Sequence, residues 1–196
     1  MTVEYAAEMA LVVVDMQVDF GSPDGSLYVR GGEETLPVID AELNAAEAAG
    51  APVFYTQDWH PPTTPHFAKD GGIWPVHCVQ DTPGAQLLPG LRVSGPVVRK
   101  GSDGGDGYSG FSVRDPVSGE TAVTQLGALL DQAGVRRLVV VGLAGDYCVK
   151  ETALEARQLG YAVSVPLAAT RFVNLQPGDD DRAVEQLRSA GVDVSG

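Results

Sequence analysis

Several things are scarce in this sequence, and each shortage excludes something. Cysteine occurs twice in 196 residues, as Cys78 and Cys148. Two cysteines make no disulfide scaffold, and a chain of this length buries a core without one. Basic residues number 13 against 26 acidic ones, a formal charge of −13. That field repels phosphate backbones and anionic lipid, which argues against a nucleic-acid or membrane partner. No apolar run approaches the roughly 18 residues of a membrane span; the longest near the start is Met9–Val14. The opening MTVEYAAEMA carries acids where a secretory leader would carry Lys or Arg, so the sequence predicts a cytoplasmic protein with reduced thiols. Glycine is the exception to scarcity. Its 24 residues lie between apolar runs and not in tracts, the pattern of loops around one folded core.

Met9–Asp15 (MALVVVD) is continuous, apolar and β-branched, as in a strand buried on both faces. Leu36–Ala49 has helical spacing and stops at Gly50, and Pro52–Gln57 and Pro96–Arg99 read as further strands. Ala122–Ala133 is predicted helical, Val135–Gly142 a strong strand, Cys148–Leu159 a helix and Ala162–Pro166 a strand. Asp180–Ala190 closes the series as a helix before a short strand around Val192–Val194. Apolar strands alternating with helices imply one α/β domain over residues 1–196, with three α/β/α layers around a mostly parallel sheet. Two long irregular stretches, Asp58–Gly95 and Gly101–Glu120, stand out, and long loops in a compact domain are usually functional.

In such sheets ligands bind beyond the carboxyl ends of the strands. That rule singles out Asp15, Asp58, Lys100 and the segment ending in Cys148. Charges beginning where buried strands end explain any one of these, but poorly explain all four. Cys148 follows a glycine-containing turn and opens a helix, where backbone N–H groups and the helix dipole stabilise a thiolate. Lys100 would add a positive charge and Asp15 a base. From position alone Cys148 could equally be a small core residue.

All three histidines, His60, His66 and His77, fall within 18 residues, and Asp58 precedes His60 by two. The cluster points to a divalent transition metal, Zn²⁺, Fe²⁺ or Mn²⁺, over the alternative of a solvated loop with incidental histidines. Cys78, next to His77, is expected to point away from such a site, because neighbours on an extended segment face opposite sides.

Several segments together resemble the nicotinamidase/pyrazinamidase branch of the isochorismatase-like cysteine hydrolases. They are VVVDMQVDF (12–20), TQDWHPPTTPHF (56–67), WPVHCVQDTPGA (74–85), RKG (99–101), GYSGF (107–111) and GLAGDYCV (142–149), in the family's order. The resemblance implies nicotinamide as substrate, an Asp15–Lys100–Cys148 triad, and a cis peptide between Leu143 and Ala144. It implies an oxyanion hole from the Ala144 and Cys148 N–H groups, and it sets Gly145 where many members carry threonine, which gives that loop more freedom. It assigns one divalent ion per chain, zinc first, to Asp58, His60 and His77. His66 matches a fourth ligand present in some members, the alternative being a residue behind the ligands. Phe20, Trp74, Tyr108 and Tyr147 fall at positions that line the ring pocket, and Asp19 at that of a structural acceptor. Rival readings are a metal-free amidase of the same fold, such as N-carbamoylsarcosine amidohydrolase, an isochorismatase-type hydrolase, or a non-catalytic metal-binding or redox thiol module. A homo-oligomer stays open, although no apolar helix face marks its interface.

Overall fold

The valine-rich runs form strands because branched side chains pack well on both faces of a covered sheet. The computed structural model describes residues 2–196. Strands β1 (Met9–Val14), β2 (Val53–Asp58), β3 (Val97–Lys100), β6 (Arg137–Leu143), β7 (Ala162–Pro166) and β9 (Asp193–Ser195) lie side by side in the order β3-β2-β1-β6-β7-β9. Every pairing among them is parallel, and the short β8 (Thr170–Arg171) adds a parallel pairing to the end of β6. A separate antiparallel pair joins β4 (Ser112–Arg114) to β5 (Thr121–Val123).

Alternation along β1 divides the core in two. Leu11 and Val13 face a cluster with Ile39 and Leu43 of α2 (Leu36–Ala48). Val12 and Val14 face the other, with Leu126 and Leu130 of α3 (Leu126–Gln132) and Val149 and Ala153 of α4 (Cys148–Gln158). Leu187 of α5 (Asp179–Ser189) joins that second layer. The three-layer α/β architecture expected from the sequence is the one observed. Burying both faces of β1 explains why it carries no polar residue before Asp15. β3, at the sheet edge, alternates instead: Val98 and Lys100 are buried, Val97 and Arg99 exposed.

Most predicted boundaries hold within two residues. The helix expected over Ala122–Ala133 does not. Its first residues form β5, and α3 starts only at Leu126. Thr124 is the reason: its N–H donates to the Phe111 carbonyl, its Oγ1 donates to the Gly110 carbonyl, and the Leu126 N–H donates to Oγ1 in turn. Bonds that tie Thr124 to the segment just before β4 and draw the Leu126 N–H onto its hydroxyl turn the backbone between β5 and α3. The four-residue helix α1 (Val18–Gly21) and β8 were not read from the sequence. Among the described residues no helix is long and apolar enough to cross a membrane.

Candidate active site

Parallel register carries distant residues to one end of the sheet. Asp15 leaves β1 with a positive φ of 47°, and Asp58 pairs with Lys100 across β2 and β3. Cys148 begins α4 beyond the turn that follows β6. Lys100 Nζ thus lies 3.7 Å from Cys148 Sγ and 2.9 Å from Asp15 Oδ2, and it donates to Asp58 Oδ1. All four residues are buried. The two Asp15 oxygens differ. Oδ1 accepts a 2.6 Å hydrogen bond from Thr56 Oγ1, whereas Oδ2, although within ion-pair distance of Lys100, lacks a hydrogen-bond partner of good geometry. Oδ2 is therefore the oxygen free to receive a proton, and carboxylate oxygens of Asp15 and Asp58 lie within 4.8 Å of Sγ.

Burial pushes the Cys148 thiol well above its ordinary pKa; Lys100 pulls it back only in part, and Asp15 and Asp58 raise it further. This corrects the expectation of a thiol made acidic by the helix start and Lys100, since desolvation outweighs the cation. The resting thiol keeps its proton and needs a base. Burial likewise raises Asp15, against the pull of Lys100. Asp58 goes the other way: burial opposes its charge, but Lys100 and then His60 hold it well below the usual carboxylate range. Lys100 is itself disfavoured by burial, yet Asp15 and Asp58 raise it well above an ordinary lysine. The cluster is a buried cation between two carboxylates, with a neutral thiol beside it. Replacing Lys100 by alanine leaves both anions and raises the thiol further, so the pH profile of Cys148 alkylation by iodoacetamide is expected to move to higher pH. An unmoved profile would separate Lys100 from the thiol.

The histidines stand next to this cluster. Ring centroids are 4.7 Å apart for His60 and His66, 5.3 Å for His60 and His77, and 5.2 Å for His66 and His77. One nitrogen of each lies within 4.8 Å of the others. The His77 Nδ1–H donates to the Pro75 carbonyl at 2.7 Å, which leaves Nε2 with its lone pair. His66 Nδ1 lies 2.6 Å from Asp106 Oδ1, which fixes the orientation of the ring. Neither nitrogen of the buried His60 has a hydrogen-bond partner. Burial pushes His77 down to about 4, so it is neutral near pH 7. Three ring nitrogens this close together suit a divalent metal, and the carbonyl behind His77 and the carboxylate behind His66 are the supports such ligands use. His66 stands as close as the other two. Asp58 reaches the group through Oδ2, 3.6 Å from His60 Nε2, while Oδ1 serves Lys100.

Cys148 and His77 open onto one cavity of about 390 Å³, part of it open to solvent. Phe20, Trp74, Tyr108 and Tyr147 all line it, as do Ala144, Asp58 and His66. Trp74 and Tyr147 meet edge to face at 5.0 Å, and Trp74 Nε1–H donates to Tyr108 Oη at 3.0 Å, so the walls are locked together. The Leu143–Ala144 peptide is cis. Asp19 accepts from the backbone N–H groups of Cys78 and Ser26. Cys78 is buried in the core and lines no part of the cavity, and its φ of 45° shows that the segment is not extended there, so alternation does not set its direction. Leu27, Val29 and Val173 of the cavity, Thr56 behind Asp15 and Asp106 behind His66 were not anticipated. Thr56 and Asp106 act on residues about 40 positions away in the chain, and no local pattern marks any of the five.

An α/β sheet with a buried thiol, base and cation at its carboxyl end is the framework of a hydrolytic enzyme. The chain belongs to the isochorismatase domain family, whose domain matches residues 9–196. It is 37% identical over 200 residues to the nicotinamidase of Escherichia coli (strain K12), covering 93% of this chain and 92% of that one. Its fold superposes on the pyrazinamidase of Pyrococcus horikoshii in complex with zinc with a TM-score of 0.84 and 36% identity, over 95% and 98% of the two chains. For PnC1 from L. infantum in complex with nicotinate the TM-score is 0.86, with 37% identity over 99% and 96%.

Proposed function

We propose that this protein hydrolyses nicotinamide, and the similar pyrazinamide, to the carboxylic acid and ammonia through a thioester on Cys148. One observation carries the reading: Cys148, with Lys100 and Asp15 behind it, lines the same aromatic-walled cavity as His66, His77 and Asp58, and His60 packs against both of those histidines. A flat heteroaromatic carboxamide needs that combination, an apolar slot for the ring, a fixed point for its nitrogen and a nucleophile for its carbonyl. The nicotinamidase and pyrazinamidase relatives, and the nicotinate and zinc of the two solved structures, support the same substrate and a metal.

Asp15 Oδ2 takes the thiol proton, and Sγ bonds to the carboxamide carbon as the carbonyl electron pair moves onto oxygen. Lys100 balances the charge of thiolate and carboxylate. The Ala144 and Cys148 N–H groups hold the oxyanion, a contribution of about 3–4 kcal/mol per donor in other enzymes. Collapse breaks the C–N bond, and the proton on Asp15 passes to the departing nitrogen, giving ammonia. Asp15 then takes a proton from water as its oxygen attacks the thioester, and returns it to Sγ when the C–S bond breaks. One carboxylate serves both halves, which suits a group whose affinity for protons burial has raised. A divalent ion, zinc in first place, would be held by His60, His66, His77 and Asp58 and would supply a ligand point for the pyridine nitrogen.

A coupled ammonia assay with nicotinamide, with and without chelator, tests this. Turnover that falls on chelation and returns with added zinc is expected; undiminished turnover without metal would favour the metal-free amidase. Asp15→Asn is expected to lower kcat at least about a thousandfold, because the proton acceptor is lost. Binding of nicotinic acid, followed by calorimetry, should change little, since ring and metal contacts stay in place.

A further inference from the structure

Gly145, in the turn between Ala144 and the nucleophile, has an unusual neighbour. A Cβ built there would lie 2.5 Å from Phe172 Cε1 and 2.8 Å from Cδ1 and Cζ. The backbone φ at Gly145 is not left-handed, so glycine is needed for space and not for conformation. The residues flanking Phe172 are tied to the same turn. The Gly145 N–H donates to the Arg171 carbonyl at 2.8 Å, and Asp146 accepts from the Val173 and Asn174 N–H groups at 2.9 and 2.8 Å. Upstream, β8 pairs with β6 through Gly142–Thr170 and Leu143–Arg171. Segment 170–174 is thus held to segment 142–146 on both sides of Phe172, and the ring between those bonds fills the space a side chain at 145 would take.

We propose that Phe172 is a positioning residue for the oxyanion-hole turn: its ring, packed on Gly145, holds the Ala144 backbone in place, so positions 145 and 172 act as a complementary pair. The freedom expected from glycine at 145 is removed by a ring from another element. The inference rests on the hydrolytic reading for its effect on rate, but not for its effect on the turn itself. A turn displaced by a fraction of an ångström weakens the contact to the developing oxyanion while leaving the ring pocket largely intact. The Val173 next door lines that pocket, and its N–H bond to Asp146 does not depend on the ring.

The test uses the metal-loaded protein, with Cys148 alkylation stoichiometry counting active sites in every variant. Phe172→Ala is expected to lower kcat for nicotinamide about 10- to 100-fold with KM within about threefold. Amide hydrogen exchange over residues 144–147 should speed up about tenfold or more in the same variant. Gly145→Thr alone should also lower kcat, because the new side chain collides with the ring. The double variant Gly145→Thr/Phe172→Gly should recover kcat above either single change and restore slow exchange, a rescue that general destabilisation would not give. If Phe172→Ala does not fold, Phe172→Leu should give intermediate values of both readouts. Wild-type kcat and exchange in the variant that folds, or a double variant no better than the worse single, would overturn the pairing. If the unaltered protein does not turn over nicotinamide, the hydrolytic reading fails and the exchange measurements alone decide the role of Phe172.

Discussion

Replacing Cys148 by alanine is expected to lower kcat for nicotinamide at least about 10⁴-fold, leaving only what the pocket and N–H groups contribute. Thermal stability and bound metal should be unchanged, because Sγ packs beside Lys100 and not among the histidines. Serine should rescue little, because a hydroxyl is a far weaker acid than a thiol and gives up its proton to Asp15 much less readily. Cys78→Ala provides the control. Its thiol is buried in the core, pushed up by burial and then by nearby carboxylates, and it lines no part of the cavity. That variant should keep most of its turnover. Equal losses in both would point to a paired redox role.

The second large effect concerns the histidines. Unaltered protein is expected to bind about one divalent ion per chain, and His60→Ala or His77→Ala to lose it, read by metal analysis after dialysis. The family resemblance ranks His66 below those two, whereas the geometry places all three imidazoles equally close. His66→Ala is therefore expected to lose metal as the others do, and near-complete retention would return His66 to a supporting role. Benzamide has the shape of nicotinamide without the ring nitrogen. With metal bound, its kcat/KM should be lower at least about a hundredfold, because a polar site is left without its partner. Equal rates for the two amides would make the metal structural.

Much of this was legible in the sequence, for physical reasons. β1 and β6 are read easily because strands buried on both faces contain little but branched apolar residues. Asp15 and Lys100 are found by a general rule, that polar groups ending such strands face the ligand. The histidine cluster is visible because its members are near in sequence. What was not legible depends on long-range contact. Thr124 ends a strand and starts a helix through bonds to residues 13 or 14 positions back. Asp106 sits in a glycine-rich loop with no pattern of its own, yet it fixes the orientation of His66. The thiol's protonation state also needed the structure: a helix start and a lysine predict an acidic thiol, and only its full burial reverses the sign.

The covalent intermediate is the centre of the mechanism, and hydroxylamine tests it most directly. Nicotinamide and methyl nicotinate differ in leaving group but would acylate Cys148 with the same nicotinoyl group. With fixed hydroxylamine added, each should yield nicotinohydroxamate and nicotinic acid in one common ratio, because both products come from a shared thioester. A ratio that depends on the leaving group, or turnover of nicotinamide with no hydroxamate at any hydroxylamine concentration, would mean that water attacks the carboxamide directly and that Cys148 is not the nucleophile.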